Sequence, residues 1–174
     1  MLRDDILKYL YALNDKLQQR DVKGEICLYG GAVMCLVYEA RPSTKDVDAV
    51  FHPAKIIRNA AREIAEEHDL PGDWLNDGVK GFLVDHTRKV FLNLSHLTVM
   101  VADPEYLLAM KSLSARIDAT DGQDIAFLVN ELGIKTVSEV FEVIEAYYPK
   151  RMIRPATQFF LEEIFNENPG DSGN

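Results

Sequence analysis

A pair of glycines between an apolar strand and an apolar helix constrains this chain more than any other feature. Residues 25–29 read EICLY, a short β-prone run, and Gly30 and Gly31 follow it directly. The next residues, AVMCLVYEA, have the length of a helix and few helix breakers. The predicted order is strand, glycine turn and helix. Such a turn leaves backbone N–H groups for an anion and, without a Cβ, room for a phosphate, although a simple tight turn is the alternative explanation.

Two acidic residues, Asp46 and Asp48, follow in a second predicted strand that reads DVDAVF. Alternation along a strand points both carboxylates to one face, while Val47 and Ala49 point to the other. Neighbouring carboxylates repel each other unless a cation lies between them, and Mg²⁺ or Mn²⁺ suits such hard oxygen ligands. The alternative is a solvated edge strand, where charges prevent edge-to-edge pairing. The glycine pair and the two acids together favour a site that binds a triphosphate and a metal ion.

The periodicity of the first part of the chain predicts a sheet covered by helices. Apolar residues at helical spacing predict helices over residues 3–19 and 53–68. Residues 70–84, which read LPGDWLNDGVKGFLV, predict a turn and a short helix around Trp74. Residues 89–101 predict one or two further strands. Alternating strands and helices of this kind indicate a sheet flanked by helices.

The later part of the chain is predicted to be helical. Four helix starts are indicated by an N-cap at Asp103 before Pro104, by capping boxes at Thr120 with Gln123 and Thr136 with Glu139, and by Pro155. The first of these helices is predicted to run to about Arg116 and the last to Phe165.

We therefore predict an α+β protein in which a small mixed sheet flanked by helices is followed by a C-terminal helical bundle. Residues 1–102 are expected to form the α/β core. Residues 103–167 are expected to form a helical part that packs on the core and completes the site. Residues 168–174 are polar and rich in turn formers, and are expected to be a disordered tail.

Charge and hydropathy restrict the partners and the location of the chain. Nineteen Lys and Arg against 28 Asp and Glu give a net charge of −9, so nonspecific DNA binding is not expected. No apolar run approaches the roughly 20 residues that span a bilayer, and acids replace the basic start of a signal peptide. We expect a cytoplasmic protein without a membrane partner. Cys27 and Cys35 are expected to be buried thiols.

The stretch GGAVMCLVYEARPSTKDVDAV resembles the signature of the polymerase-beta-like nucleotidyltransferase superfamily, a glycine pair or Gly-Ser followed by an acid-hydrophobic-acid strand. The placement of Arg41 and Thr44 before the two acids is most similar to the abortive-infection toxins of type IV toxin-antitoxin systems and their nucleotidyltransferase-like relatives. The turn LPGDWLND and the helix PEYLLAMKSLSARIDATDGQDIAFL are also similar to segments of those relatives. The resemblance spans about residues 25–134.

The resemblance implies a palm-type sheet, an NTP as substrate and Mg²⁺ or Mn²⁺ as cofactor. It implies that Asp46 and Asp48 bind the metal ions and act in catalysis. The residues that it assigns to the nucleotide in this first part of the chain are Gly30, Gly31, Arg41 and Thr44.

In the helical part, the resemblance implies that Lys111, Arg116 and Asp124 complete the nucleotide pocket. Lys111 would lie against phosphate oxygens as a point charge. The resemblance also counts Lys111 and Asp124 among the catalytic residues. Asp121 or Asp124 would orient Lys111 or cap the helix. Independently of any family, Lys111 interrupts the apolar run LLAMKSLSA. A buried lysine needs an anion there, whereas a lysine at the helix edge reaches solvent.

The superfamily adds a third carboxylate on a later strand, and the matching segment here, LTVMV, has none. Asp85 and Asp103 are the candidates to substitute for it. The predicted function is transfer of NMP from an NTP to an RNA end such as that of a tRNA, to a protein side chain or to a small molecule. The resemblance suggests a toxin with a cognate antitoxin protein as partner. The alternative is a nucleotide-binding or interaction domain of the same fold that is catalytically weak or inactive.

Overall fold

The structure is a computed structural model that describes residues 1–114 and 119–167. Arg116 and the predicted tail at residues 168–174 lie outside the described residues. The described part of the chain forms seven α-helices and one five-stranded mixed sheet, which confirms the predicted α+β class.

The chain divides into two compact units. Unit 1 comprises Met1–Leu83 and Arg88–Ala102, and unit 2 comprises Val84–Thr87 and the chain from Asp103 onward. Within the ranges that the structure describes, no helix combines the length and the apolar character that crossing a membrane requires.

Unit 1 contains the sheet and three helices. The helices are α1 (Arg3–Gln19), α2 (Gly30–Leu36) and α3 (Ala54–His68), and a 3₁₀ helix covers Gly78–Phe82. The strands are β1 (Gly24–Leu28), β2 (Val47–His52), β3 (Leu75–Asn76), β4 (Arg88–Asn93) and β5 (Leu97–Ala102). Their order in the sheet is β3-β2-β1-β5-β4. The pairs β1–β5 and β2–β3 are parallel, and β1–β2 and β4–β5 are antiparallel.

Helices α1 and α3 cover one face of the sheet. Ile26 of β1 pairs with Val99 of β5, so both point to the same face, and both are fully buried. Gly24 lies on that face so close to the helices that a Cβ would be 2.8 Å from Leu17 of α1 and 3.1 Å from Ile57 of α3. Burying each large apolar side chain in this layer contributes about 1.5–3 kcal/mol.

Strand β2 shows the alternation predicted from its sequence. Val47, Ala49 and Phe51 are buried, whereas Asp48 is half-buried and His52 is exposed. The apolar residues share the face that α1 and α3 cover, because Phe51 pairs with Ile26. The side chain of Asp48 therefore points to the opposite face of the sheet.

Helix α2 is shorter than predicted because the chain turns away after Leu36. The predicted helix extended to Ala40, but Glu39 has a φ of 51°, a left-handed conformation that ends helices. The backbone N–H of Ala40 donates to the carbonyl of Met34 at 2.9 Å and closes this turn. The glycine pair forms the first two residues of the helix.

The turn around Trp74 contains a strand that its sequence did not predict. Trp74 is buried and its Nε1 donates to the carbonyl of Ala61 in α3 at 2.9 Å. The backbone N–H of Val47 donates to the carbonyl of Trp74 at 2.7 Å. These bonds join the turn to α3 and to β2, so the two residues after Trp74 pair with β2 as β3.

Unit 2 contains α4 (Pro104–Ser114), α5 (Ala119–Glu131), α6 (Val137–Tyr147) and α7 (Pro155–Glu167), with a 3₁₀ turn at Lys150–Met152. The predicted N-cap of α4 is confirmed, since Asp103 Oδ1 accepts a bond from the N–H of Tyr106 at 3.3 Å. The capping box of Thr136 and Glu139 at α6 is also confirmed. The predicted cap at Thr120 is wrong, because α5 already includes Ala119 and Thr120.

The segment 84–87 belongs to unit 2 because it packs on Tyr106. The backbone N–H of Val84 donates to the Tyr106 hydroxyl at 3.1 Å, and the rings of His86 and Tyr106 stack with centroids 3.8 Å apart. The Tyr148 hydroxyl donates to that of Tyr106, also at 3.1 Å. Burial, reinforced by this bond, raises the pKa of Tyr148 above its usual range.

We expect Trp74→Phe to destabilise unit 1, because it removes a buried hydrogen bond from the indole to Ala61 and part of a buried ring. The expected loss in the free energy of unfolding is about 1–3 kcal/mol. Denaturant titration followed by circular dichroism measures it, since Trp74 is the only tryptophan and its fluorescence is lost. Tyr11→Phe, at a side chain 49% exposed, is the control and should stay within about 0.5 kcal/mol. Equal stability of the two variants would show that the indole does not anchor the turn.

Candidate metal and nucleotide site

The Asp48 carboxylate lies at the start of α2. The N–H of Tyr29, the last residue before α2, donates to the carbonyl of Asp48 at 2.9 Å and extends the β1–β2 pairing by one residue. Gly30 has a φ of 57°, a conformation that favours glycine. A Cβ on Gly30 would lie 3.1 Å from Asp48 Oδ2. Glycine at position 30 thus allows both the backbone turn and the close approach of the carboxylate.

The guanidinium of Arg41 occupies the space beside Gly31. A Cβ on Gly31 would lie 1.7 Å from Arg41 Nη2 and 2.6 Å from Thr44 Oγ1. Arg41 Nη2 donates a hydrogen bond to Thr44 Oγ1 at 2.9 Å. The sequence predicted that a phosphate would approach through this space. The structure instead has a cation in it, so an anion at this turn would meet a guanidinium as well as backbone N–H groups.

Asp46 lies one residue before β2 and is held from two sides. Thr44 Oγ1 donates to the backbone carbonyl of Asp46 at 3.1 Å. Asn76 Nδ2 lies 3.5 Å from Asp46 Oδ2, the outer limit of a hydrogen bond. The loop that ends in Asp46 is therefore connected both to Arg41, through Thr44, and to β3.

These contacts bring together six of the predicted site residues in unit 1, together with Asn76. The six are Gly30, Gly31, Arg41, Thr44, Asp46 and Asp48. They form a junction between β1, α2 and β2 that contains two carboxylates and a guanidinium. Such a junction can bind a cation and an anion next to each other, as a metal–phosphate complex requires.

The two carboxylates fit a metal ion that arrives with its substrate. Asp48 lies in β2, whereas Asp46 lies in the bend just before that strand, so the two acids do not follow strand alternation as the sequence predicted. Asn76 of β3 links them, because its amide lies 3.5 Å from Asp46 Oδ2 and its backbone pairs with Asp48. Among the residues that the structure describes, no group of three or more His, Cys, Asp and Glu could hold a metal ion. Mg²⁺ is commonly bound by one or two carboxylates together with substrate phosphates and water. The donor set fits that pattern.

The sheet does not supply a third carboxylate from β5. The six residues of β5 read LTVMVA. Asp103, which follows β5, caps α4, and Asp85 is exposed in the segment 84–87. Both candidates belong to unit 2. The polar group that the structure adds to the two acids in unit 1 is the amide of Asn76.

Lys111 forms a buried ion-pair cluster within unit 2. Its Nζ lies 2.5 Å from Asp124 Oδ2 and 3.5 Å from Asp121 Oδ1. The side chains of Lys111 and Asp124 are only 8% and 1% exposed, so this pair is shielded from water. The anion that a buried lysine needs is thus a carboxylate of α5, which orients Lys111. The predicted contact of Lys111 with phosphate stays a prediction, and Arg116 lies outside the described residues.

Asn76 was missed from the sequence, although it lies in the turn LPGDWLND. A two-residue strand has no periodicity of its own, and only its pairing with β2 places Asn76 beside the acids. A pocket of about 300 Å³ also lies in unit 1, around Gly24 and His52. None of the predicted site residues lines it, and its location at the other ends of β1 and β2 separates it from Asp48.

No protein-family model, curated protein or solved structure matches this chain.

We expect Gly31→Ala to displace the Arg41 guanidinium, because the new Cβ would overlap Nη2. The free energy of unfolding should fall by about 1–3 kcal/mol. In an Arg41→Ala background the same substitution should cost less, since the closest overlapping group is gone and Thr44 Oγ1, at 2.6 Å, remains. Gly72→Ala is the matched control, because nothing lies within 4 Å of a Cβ there. Equal costs in both backgrounds, measured by urea titration, would refute a steric coupling between Gly31 and Arg41.

Breaking the Lys111 cluster should destabilise unit 2 strongly. Lys111→Met leaves the buried Asp124 carboxylate without its cation and should cost about 3–5 kcal/mol. Adding Asp124→Leu should recover part of this loss, because the carboxylate that faced Lys111 is then removed from the buried site. Lys150→Met is the control, since Lys150 pairs with Glu145 at 3.6 Å but is 82% exposed, and it should cost at most about 1 kcal/mol. Urea unfolding of the wild type, the two single variants and the double variant measures these losses. Equal losses for Lys111→Met and Lys150→Met would contradict a buried ion pair at Lys111.

Proposed function

We propose that this protein is a metal-dependent nucleotidyltransferase that transfers NMP from an NTP to an acceptor hydroxyl. One observation carries the proposal: Asp48 and Arg41 lie against the two adjacent glycines that open α2. Carboxylates for a cation and a guanidinium for an anion therefore meet at one strand–helix junction. The resemblance of this segment to nucleotidyltransferases supports the same function.

Arg41 is the group proposed to bind the triphosphate. A guanidinium is permanently charged and its planar donors match phosphate oxygens. Its bond to Thr44 and its position over Gly31 fix it without a large loss of side-chain entropy on binding. Because α2 has only seven residues, we assign the phosphate contact to Arg41 and not to the helix dipole.

Asp46 and Asp48 are the groups proposed to hold the metal ion. When bound, Mg²⁺ or Mn²⁺ would supply charge neutralisation at the α-phosphate and at the leaving pyrophosphate. The acceptor oxygen attacks the α-phosphorus, the bond from that phosphorus to the bridging oxygen breaks, and the hydroxyl proton passes to a carboxylate or to water. The carboxylates keep the metal-binding face negative, and Arg41 offsets the charge of the phosphates.

The absence of an acid from β5 favours a second candidate function, nucleotide binding without turnover. Asp103, the nearest acid after β5, is occupied as a helix cap. A domain of this kind would bind the metal–nucleotide complex at the same residues but would transfer nothing. The acceptor, the role as a toxin and a partner antitoxin stay predictions.

Labelling separates the two functions. We expect the wild-type chain, incubated with each labelled NTP, Mn²⁺ and total RNA, to transfer label to an acceptor in the RNA or in the protein. Asp48→Asn removes a metal-binding charge without a change in size and should lower transfer at least about 100-fold, a loss typical of removed electrostatic groups in active sites. Asp73→Asn, at an exposed acid outside the junction, should leave transfer unchanged.

Nucleotide binding by the wild type without any transfer would contradict the enzyme and support the binding domain. Equal transfer by wild type and Asp48→Asn would exclude this junction as the active site.

A further inference from the structure

Asn76 contacts one acid of the proposed site through its side chain and pairs with the other through its backbone. Strand β3 pairs with β2 in parallel, with Val47 opposite Leu75 and Asp48 opposite Asn76. Paired residues of neighbouring strands point to the same face, so Asn76 shares the face of Asp48. Its Nδ2 lies 3.5 Å from Asp46 Oδ2. The amide therefore lies against the Asp46 carboxylate and on the same face of the sheet as Asp48.

The orientation of this amide follows from its second hydrogen bond. Asn76 Oδ1 accepts a bond from the backbone N–H of Gly78 at 3.1 Å, at the start of the 3₁₀ helix. The amide oxygen is thus committed to Gly78, and the NH₂ group faces Asp46. An NH₂ group donates and cannot bind a cation, so toward Asp46 the side chain acts only as a donor.

The turn around Trp74 holds Asn76 in this place. Trp74 is fixed to Ala61 of α3 by its indole and to Val47 of β2 by its carbonyl. Leu75 is buried next to it. Since Trp74 and Leu75 are anchored in the core, the backbone of Asn76 has little freedom, and its amide is presented to Asp46 from a rigid support.

We propose that Asn76 is a positioning residue for the metal site, an inference that rests on the proposed function. Its amide donates to Oδ2 of Asp46 and holds that carboxylate with the other oxygen directed to the metal ion. Groups that orient metal-binding side chains in this way commonly change metal affinity by 10- to 100-fold. A neutral amide next to two carboxylates also adds no further repulsion, whereas a third carboxylate would.

The test compares Asn76→Leu, which keeps the size but removes the donor, with wild type. The full chain is titrated with Mn²⁺ in the presence of a nonhydrolysable NTP analogue, and free Mn²⁺ is measured by electron paramagnetic resonance. We expect Asn76→Leu to bind Mn²⁺ about tenfold more weakly. Asn93→Leu is the matched control, because Asn93 is an exposed strand asparagine of β4 outside the junction, and it should bind like wild type.

A second arm asks whether Asn76 acts through Asp46. In an Asp46→Asn background, Asn76→Leu should cause no further loss of Mn²⁺ affinity, because the carboxylate to be oriented is absent. In the wild-type background, the rate of transfer at saturating NTP should fall while the KM for NTP changes less than about twofold, since Arg41 and not Asn76 contacts the phosphates. Asn76→Ala is tested in parallel, with circular dichroism as the check on folding, in case the larger leucine disturbs the turn.

Each result decides the proposal. Wild-type Mn²⁺ affinity in the folded Asn76 variants would overturn it, and so would losses that add to those of Asp46→Asn, which would make Asn76 an independent ligand. A tenfold loss of Mn²⁺ affinity that occurs only when Asp46 is intact would support the proposal, even if the wild type transfers no NMP. In that case only the proposed enzymatic activity would be refuted. If the wild type bound no Mn²⁺, both the positioning role of Asn76 and the proposed metal-dependent function would be overturned.

Discussion

The absence of side chains at Gly30 and Gly31 is the constraint on which the rest of the site depends. At Gly30 the missing Cβ lets the Asp48 carboxylate approach to 3.1 Å from the position that a Cβ would take. At Gly31 the Arg41 guanidinium occupies the position of the missing Cβ itself. Two groups of opposite charge therefore approach one turn from different parts of the loop and strand that follow α2. Their opposite charges lower the free energy needed to hold either one near the helix start.

The layering of unit 1 determines which face of the sheet these groups occupy. Helices α1 and α3 bury one face, so the alternation of β2 places Asp48 on the other. The same register that buries Val47 and Ala49 thus orients the acid, and a slip of one residue would exchange the two sets. Strand β2 is paired on both sides, by β1 and by β3. The packing that fixes the register of β2 in the sheet therefore also fixes the position of Asp48.

Much of this fold could be predicted from periodicity, because the apolar faces of α1 and α3 and the alternation of β2 are local patterns. The end of α2 at Leu36, the strand β3 and the position of Arg41 could not. Each of these is decided by a tertiary contact, such as the indole bond of Trp74 or the space beside Gly31, which leaves no repeating pattern in the sequence. The proximity of the acids and the glycines was predictable from spacing, whereas the amide of Asn76 required the sheet register.

Of the three cations that the resemblance assigned to the nucleotide, Lys111 and Arg41 lie in different surroundings, and Arg116 lies outside the described residues. The Nζ of Lys111 lies 2.5 Å from Asp124 and 3.5 Å from Asp121, so its charge already faces two carboxylates of α5. To bind an anion, Lys111 would have to leave a buried partner, which costs several kcal/mol, about as much as breaking any buried pair. Arg41 donates to the hydroxyl of Thr44 and lies beside Gly31, at the junction that also holds Asp46 and Asp48. In the proposed function the phosphate contact is therefore assigned to Arg41, which lies at the junction with the two acids, whereas Lys111 joins α4 to α5 within unit 2.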